Sequence, residues 1–351
     1  MSLFRPARFP LLKLPCLCIK CVLHNLDEFV IIYFATISDR TRKIVKSSNY
    51  PLKEIDICLS GSSNISFKHQ LGKSENEKTW LFIHDEYAYG FKFVLKKNSQ
   101  ALRTSRCFDR WRGYHLESYT GGDTLEALKM GIEFMIEVFG CTVRQVFISG
   151  IRLSDLVRLG TMSVKKLVIG DGGPVHKNYL KYVMENIKVI DEYVFSAPIP
   201  AKFSCDPQIF NCRKLSFNNH SARWVTFEIL CQFDVPQLSV SCQRFSVKDI
   251  VSYVTYWFNS KNRKLEYLHI EFNNPISLED FKLDHLNPMP FCEKRRNRWT
   301  LNKSWEKTDI SSGKDILRED GLLATFFVKP TSVFSTEILF YVWHKRFPGA
   351  A

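Results

Sequence analysis

Residues 164 to 169 read V-K-K-L-V-I, a six-residue frame with apolar residues at its first, fourth and sixth positions. The frame occurs six times in order along the chain. Its central apolar residues are Val146, Leu167, Tyr193, Leu215, Leu238 and Leu268. The intervals between them are 21, 26, 22, 23 and 30 positions, and all but the last fall within the roughly 20 to 29 residues of a leucine-rich repeat. The spacing predicts a mixed α/β body, an irregular leucine-rich-repeat-like stack in which each unit adds one short strand.

The alternative is an ordinary α/β sheet, because short apolar triplets arise in any protein of that class. The asparagine typical of the repeat occurs only once, at Asn273. In a repeat stack, the residues that flank the central ones point to a concave face, and we expect that face to bind a target protein. These residues are Phe147, Val168, Val194, Ser216, Ser239 and His269. The first three are apolar and the last three polar, so we expect the meander or a bound protein to cover the apolar half and the polar half to stay wet.

The segments between the frames carry helical patterns, as a repeat stack requires. Residues 176–187 and 222–233 show the helical period. Ser246 and Asp249 have the spacing of a capping box, and Phe245 and Ile250 match the hydrophobic staple that accompanies such a box.

Strands and one helix are predicted upstream of the frames. Short alternating runs between residues 55 and 95 predict a β-meander over 52–98. A polar, arginine-rich connection follows at residues 103–122. A helix is then predicted over 123–139, capped by Asp123 or Thr124.

The composition is that of an ordinary globular protein, since 45% of the 351 residues are hydrophobic and 24% are charged. A formal net charge of +13 favours acidic partners or nucleic acid without identifying either. The 11 cysteines lack the dense, regular spacing of disulfide-stapled secreted domains, so we expect the protein in the cytoplasm, the nucleus or both. Uncharged apolar runs are all too short for a membrane-spanning helix, so no membrane association is expected.

Residues 9–23, F-P-L-L-K-L-P-C-L-C-I-K-C-V-L, allow three interpretations. An export signal needs an unbroken apolar stretch, which Lys13 and Lys20 interrupt. A zinc site needs paired C-x-x-C units, and the spacing of Cys16, Cys18 and Cys21 does not supply them. Buried structural thiols are therefore expected, and the third interpretation, a docking module, is favoured.

Three short helices are predicted in this segment. Pro15 suits the first position of one helix. Asp27 is favourably placed at the start of a second, and Ser38 can cap a third that ends near Ser47. So small a bundle cannot bury all of its apolar side chains, because short chains bury too small a fraction of their surface. We expect part of that apolar area to meet a partner.

With F-P-L-L-K-L-P at 9–15, L-D-E-F at 26–29 and I-S-D-R-T-R-K-I-V-K at 37–46, this segment resembles an F-box of the nematode-expanded type. The resemblance implies a small three-helix F-box at residues 6–48 that docks the Skp-type adaptor of a cullin-based ubiquitin ligase. The residues expected at the adaptor interface are Leu11, Leu14, Pro15, Ile19, Val22, Leu23, Phe29 and Ile32.

The tail carries a second resemblance. D-I-L-R-E-D-G-L-L-A-T-F-F-V at 315–328, followed by F-Y-V-W at 340–343, resembles the end of a type 2 F-box-associated domain. Its D-G pair between alternating runs predicts a C-terminal β-hairpin. The resemblance implies a domain over 52–345, with the meander at 52–98, the repeat-like body at 123–285 and the C-terminal strands at 309–344. Together the two resemblances imply a substrate adaptor of an SCF-type ubiquitin ligase, which binds its target through the body.

The alternatives are a non-ligase interaction module and, less favoured, a nucleic-acid-binding protein that uses the basic run K-R-R-N-R-W at 294–299. Nothing in the motifs favours an enzyme, a cofactor or a metal. G-D-G-G-P at 170–174 has Val175 where a dinucleotide fingerprint needs its third glycine, so a turn is expected there. His84 and His344 have no motif around them that would organise acid/base chemistry.

Overall fold

A computed structural model describes residues 11–67, 77–84, 93–97, 100–173, 175–241, 244–272, 274–292, 298–300, 307–332 and 335–344. The chain divides into two compact units. The first comprises residues 1–147 and 154–159, and the second comprises 148–153 and 160–351. Helices and strands occur together in both, so the predicted mixed α/β class is confirmed.

The first unit begins with the three predicted helices, after a short 3-10 turn at Leu11–Lys13. They are α1 (Cys16–His24), α2 (Glu28–Thr36) and α3 (Asp39–Ser47). The carboxylate of Asp27 accepts the backbone N–H of Phe29 at the start of α2. Ser38 and Thr41 form a reciprocal capping box at the start of α3. These caps satisfy N–H groups that a helix end leaves without an intrahelical partner, which fixes where the helices begin.

A sheet follows the helices in the first unit. Its strands are β1 (Glu54–Leu59), β2 (Asn64–Phe67), β3 (Lys78–Ile83), β4 (Phe93–Lys97), β5 (Gln100–Asp109) and β6 (Gly113–Tyr119). Their order is β1-β2-β3-β6-β5-β4, with β3 and β6 parallel. The prediction of a continuous meander is therefore wrong after β3, because β6 takes the place beside β3 that the next strand of a meander would occupy.

The arginine-rich segment at 103–122 is a β-hairpin, and its prediction as a connection is wrong. Strands β5 and β6 pair antiparallel from Arg103–Tyr119 to Asp109–Gly113. The carboxylate of Asp109 accepts the backbone N–H groups of Trp111 and Arg112, which closes the turn. Gly113 has φ +69°, a left-handed value that suits glycine at this position.

The predicted helix α4 (Thr124–Phe139) is capped by Asp123 and ends at Gly140, whose φ is +65°. It packs on the sheet so closely that a Cβ on Gly131 would lie 2.5 Å from the ring of Phe82. Strand β7 (Thr142–Ile148) lies beside β1, and α5 (Leu153–Leu159) follows. The Arg144 guanidinium donates two hydrogen bonds to the Asp56 carboxylate across β7 and β1.

In the second unit, five parallel strands stand side by side in chain order. They are β8 (Met162–Ile169), β9 (Ile187–Phe195), β10 (Lys214–Phe217), β11 (Gln237–Ser241) and β12 (Tyr267–Phe272). The connecting helices are α6 (Lys177–Asn186), α7 (Phe227–Gln232) and α8 (Val247–Asn259). Helix α7 is shorter than the predicted 222–233, because Thr226 caps its start and residues 219–222 form a separate 3-10 turn. The predicted capping box of Ser246 and Asp249 starts α8.

The chain then returns to the sheet edge at β12. Its last strands are β13 (Met289–Pro290), β14 (Arg298–Thr300), β15 (Lys307–Asp309), β16 (Lys314–Leu317), β17 (Leu323–Ser332) and β18 (Ser335–Trp343). Strand β18 pairs antiparallel with β12, and β17, β16 and β13 extend the sheet beyond it, while β14 and β15 pair separately. The predicted hairpin is confirmed, with Gly321 at φ +85° in its turn. The buried Arg318 anchors that turn, donating to Asp320 and to the carbonyl of Asn262.

The core of the second unit is rich in aromatic rings. Phe195 stacks on Phe217 with ring centroids 5.1 Å apart, and Trp224 meets Phe217 edge-to-face. Such pairs contribute about 0.5 to 1.5 kcal/mol each beyond the area they bury. Within the described residues, no helix has the length and apolar character needed to cross a bilayer.

Candidate functional site

Five of the six residues predicted for the concave face form one row across the second unit's sheet. Val168 pairs with Val194, Val194 with Ser216, Ser216 with Ser239, and Ser239 with His269. Ser216 is buried and the other four are partly exposed. Phe147, the remaining predicted residue, lies in the first unit and is half-buried.

That the meander or a bound protein covers the apolar half stays a prediction, whereas the expectation of a wet polar half is wrong at Ser216, which is buried. Val168 and Val194 stay partly exposed, whereas the face is covered beyond its polar end. There, His269 pairs with Leu339, and the tail strands bring together a buried apolar cluster. Its members are Phe291, Ile310, Leu323, Phe327, Leu339 and Trp343. The reason is topological: β18 joins the edge of β12 and adds apolar residues to that end of the face.

A charged row lies next to the first one, and we call it the lysine–glutamate ladder: Lys166, Glu192 and Lys214. The Lys166 and Lys214 ammonium groups lie 2.6 and 2.8 Å from the two Glu192 oxygens. Burial raises the pKa of Glu192, but hydrogen bonds from the two lysines outweigh burial, and the net pKa lies below the usual glutamate value. The carboxylate is therefore ionised at neutral pH.

Hydrogen bonds link the polar side chains at the other end of the row. Ser239 Oγ lies 2.9 Å from His269 Nδ1, and the Ser241 hydroxyl donates to Glu271. Glu337 on β18 approaches His269 Nε2 at 3.9 Å and Lys329 Nζ at 3.5 Å. Burial lowers the pKa of His269, outweighing the nearby carboxylates, so the imidazole is neutral at pH 7.

Ser239, His269 and Glu337 have the residue types of a hydrolytic triad. A nucleophile also needs backbone N–H groups directed at the developing oxyanion. Strand N–H groups around Ser239 instead bond to β10 and β12 on either side. The face therefore presents ordered hydroxyl, imidazole and charged groups beside the partly exposed Val168 and Val194.

The residues predicted for the adaptor interface occupy three environments. Ile19, Leu23, Phe29 and Ile32 are buried inside the first unit. Leu11, Leu14 and Val22 are half-buried, and Pro15 is exposed.

Side chains of the first unit's sheet contribute to this burial. Phe29 meets Phe67 edge-to-face at 6.0 Å, and both Lys78 and Arg106 lie over its ring. The same two cations lie 3.5 and 3.8 Å from the carboxylate of Asp27. On this side, the sheet of the same unit covers the apolar side chains of the helices, so no partner is needed there.

An apolar surface nevertheless remains exposed on α1 and α2. Leu17 keeps 77% of its surface exposed and Ile37 keeps 58%, and Val30 and Tyr33 are also exposed. We call these four residues the helical apolar patch. Sequence reasoning missed it, although Val30, Tyr33 and Ile37 have the i, i+3, i+7 spacing of one helix face.

The cysteines of α1 and the glycine segment were two further candidates in the sequence. Cys16, Cys18 and Cys21 are exposed on α1, so the prediction that they are buried thiols is wrong. Residues 170–173 of the glycine segment make a tight turn, in which a Cβ on Gly172 would lie 2.3 Å from the backbone nitrogen of Gly150.

Among the described residues, Cys107, His115 and Glu117 form a group with the side chains to hold a metal ion. Asn273 and residues 294–297 of the basic run lie outside the described residues.

Comparison with known proteins gives a partial match. The family model described as F-box associated matches residues 206–270, which include β10, β11, α8 and β12. The uncharacterized proteins F59B2.9 and F59B2.8 of Caenorhabditis elegans are 30% and 29% identical to the chain over 131 residues. Each match covers 36% of this chain and 30% of the relative. No solved structure matches. Residues 206–270 are thus similar to the F-box-associated family, and the chain is similar over 131 residues to nematode proteins.

Proposed function

We propose that this protein is the substrate-recognition adaptor of an SCF-type ubiquitin ligase. In this proposal, the N-terminal helices dock a Skp-type adaptor and, through it, a cullin. The second unit binds a target protein. No covalent step falls to this chain; its contribution is proximity, because tethering raises the effective concentration of the target's lysines at the conjugating enzyme.

The helical apolar patch is the observation that carries the adaptor half of the proposal. Ile19, Leu23, Phe29 and Ile32 already complete the core of the helices. Leu17 and Ile37 are therefore not needed to fill it. Val30, Tyr33 and Ile37 share one face of a helix, and exposed apolar groups of this kind mark interaction sites. Pro15 and the half-buried Leu14 lie beside Leu17 in sequence.

The sheet face of the second unit supports the target half. The F-box-associated family implies a substrate-binding role in general, and residues 206–270 supply Ser216, Ser239 and His269 of the row. The parallel strands and their 21- to 30-residue spacing favour an irregular relative of the leucine-rich repeat. We place the protein in the cytoplasm or nucleus, where an SCF-type ligase acts.

Capture of the full chain by a purified Skp-type adaptor tests the first half. Leu17→Glu and Ile37→Glu should each weaken binding by about 30-fold, the loss that corresponds to a hot-spot residue of about 2 kcal/mol. Ile190→Glu is the matched control, because Ile190 has the same 58% exposure as Ile37 but lies in the second unit. Circular dichroism checks that each variant is folded.

Equal binding by all four proteins would overturn the docking proposal and leave a plain interaction module. For the target half, Val168→Lys with Val194→Lys should keep adaptor binding and lose the proteins that cross-link to the wild-type chain. If the cross-linked set is unchanged, the row is not the target surface.

A further inference from the structure

The hairpin of β5 and β6 brings three metal-binding side chains together on one face. Cys107 stands directly opposite His115 across the strand pair, and Ser105 stands opposite Glu117. Residues two apart on a strand share a face, so Cys107, His115 and Glu117 point to the same side.

The three side chains are already in mutual contact. Cys107 Sγ lies 3.2 Å from Glu117 Oε2, and His115 Nε2 lies 3.0 Å from Glu117 Oε1. One atom from each residue lies within 4.8 Å of the other two. From typical zinc–ligand bond lengths, tetrahedral coordination places nitrogen and oxygen about 3.4 Å apart, and sulfur and oxygen about 3.6 Å apart. The two measured separations, each to a different oxygen of Glu117, are thus a few tenths of an ångström shorter than those of zinc ligands.

The hydrogen bonding of His115 favours a cation at this point. Its Nδ1 lies 3.0 Å from the carbonyl oxygen of Gly113, and its Nε2 faces the Glu117 carboxylate. A neutral imidazole has only one N–H, so it can donate to only one of these two acceptors. With Nδ1–H donating to Gly113, the lone pair of Nε2 is free for a metal, which is how metal-binding histidines are commonly oriented.

Hydrogen bonds and burial hold the three side chains in place. The Tyr119 hydroxyl donates to Glu117 Oε2, and Ser105 Oγ lies 3.3 Å from Cys107 Sγ. His115 is only 2% exposed. Because the Asp109 carboxylate closes the hairpin turn, the spacing of the three ligands is set before any ion arrives.

We propose that Cys107 Sγ, His115 Nε2 and a Glu117 carboxylate oxygen bind one zinc ion, with a fourth position open to water or to a group from a bound protein. A thiolate, an imidazole and a carboxylate together suit zinc, whereas magnesium and calcium take oxygen ligands. The thiol proton leaves to solvent on binding, so affinity rises with pH. The ion would cross-link the two strands of the hairpin.

Zinc titration of the full chain against a chromophoric chelator tests this site. The protein used carries Cys16→Ser, Cys18→Ser and Cys21→Ser, so that the exposed thiols of α1 do not contribute. We expect one zinc per chain. Cys107→Ser and His115→Gln should each weaken binding by at least about 100-fold, since loss of a ligand exceeds the roughly 10- to 100-fold cost of losing a supporting partner.

Cys58→Ser is the matched control and should bind zinc as before. Cys58 is also a half-buried cysteine of the first unit, and its Sγ lies 3.5 Å from Ser60 Oγ, as that of Cys107 lies near Ser105. Unaltered affinity in Cys107→Ser, an equal loss in Cys58→Ser, or no zinc bound by the parent protein would each overturn the proposal.

Cobalt substitution keeps the test decisive if Cys107→Ser fails to fold. The parent protein with Co²⁺ should show thiolate-to-metal charge-transfer absorption. Cys107→His supplies another zinc ligand, so it should still bind one ion but lose that absorption. A spectrum unchanged by Cys107→His would show that the thiolate ligand lies elsewhere and would refute the assignment.

Discussion

Replacing Glu192 by glutamine tests the lysine–glutamate ladder. The substitution keeps the side-chain size and one acceptor oxygen but removes the charge that faces Lys166 and Lys214. Exposed ion pairs contribute about 0 to 1 kcal/mol, and breaking a fully buried pair costs about 3 to 5 kcal/mol. The Glu192 side chain is 16% exposed and the lysines 32% and 23%. We therefore expect Glu192→Gln to lower the free energy of unfolding by about 2 kcal/mol.

The pH dependence gives the ladder prediction a second, independent readout. The folded-state pKa of Glu192 lies below its unfolded value, so its stabilisation is fully present above the unfolded pKa of about 4.3. It is lost as pH falls through the folded pKa. The difference between wild type and Glu192→Gln should therefore be largest at neutral pH and shrink under acid conditions.

Urea unfolding monitored by circular dichroism measures both effects. Glu185→Gln is the control, because Glu185 pairs with Lys181 at 3.9 Å on an exposed helix face of the same unit. Its loss should be below about 0.5 kcal/mol. Equal losses in the two variants, or a Glu192→Gln loss that persists unchanged at acid pH, would refute the reasoning.

Three further predictions concern packing, thiols and a buried hydroxyl. Gly172→Ala should cost about 1 to 3 kcal/mol in urea unfolding, because its Cβ meets backbone at 2.3 Å, whereas Gly61→Ala, with nothing within 4 Å, should change little; equal costs would contradict this. Burial raises the pKa of Cys141 and Cys212 to about 12, so at pH 8 mass spectrometry should find both unalkylated while the three exposed cysteines of α1 react. Equal alkylation of buried and exposed cysteines would contradict this. Thr325→Val should lower the free energy of unfolding by about 1 to 3 kcal/mol, because the Thr325 hydroxyl donates to the Asp315 carboxylate and accepts the indole N–H of Trp343. An unaltered unfolding midpoint would contradict these bonds.

Helix starts and the parallel strands could be predicted because local chemistry determines them. Four predicted helix caps are confirmed in the structure. They are Asp27, Ser38, Asp123 and Ser246. The six-residue frame likewise predicted the central strand residues, since its fourth and sixth positions are those that the sheet buries.

The hairpin of β5 and β6 could not be predicted because its inner face is partly polar. Thr104 and Ser118 are fully buried and lie 2.6 Å apart through their hydroxyls, and the indole of Trp80 donates to Ser118. Apolar periodicity gives no signal where hydrogen bonds replace apolar contacts.

The exposed face of α2 could not be predicted from the sequence either, because this helix carries apolar residues on all of its faces. Which of its faces turns inward depends on tertiary contacts. Asp27 and Phe29 at its start meet Lys78 and Arg106, which lie far along the chain.

The pairing of β12 with β18 has a consequence during synthesis. Ser335 lies 63 residues after Phe272, so the ribosome needs on the order of seconds to make the strand that pairs with β12. During that interval the five parallel strands present an open edge, which is a template for pairing between nascent chains. A premature stop before residue 335 would make that open edge permanent, so we expect such truncated chains to aggregate rather than to persist as a smaller folded protein.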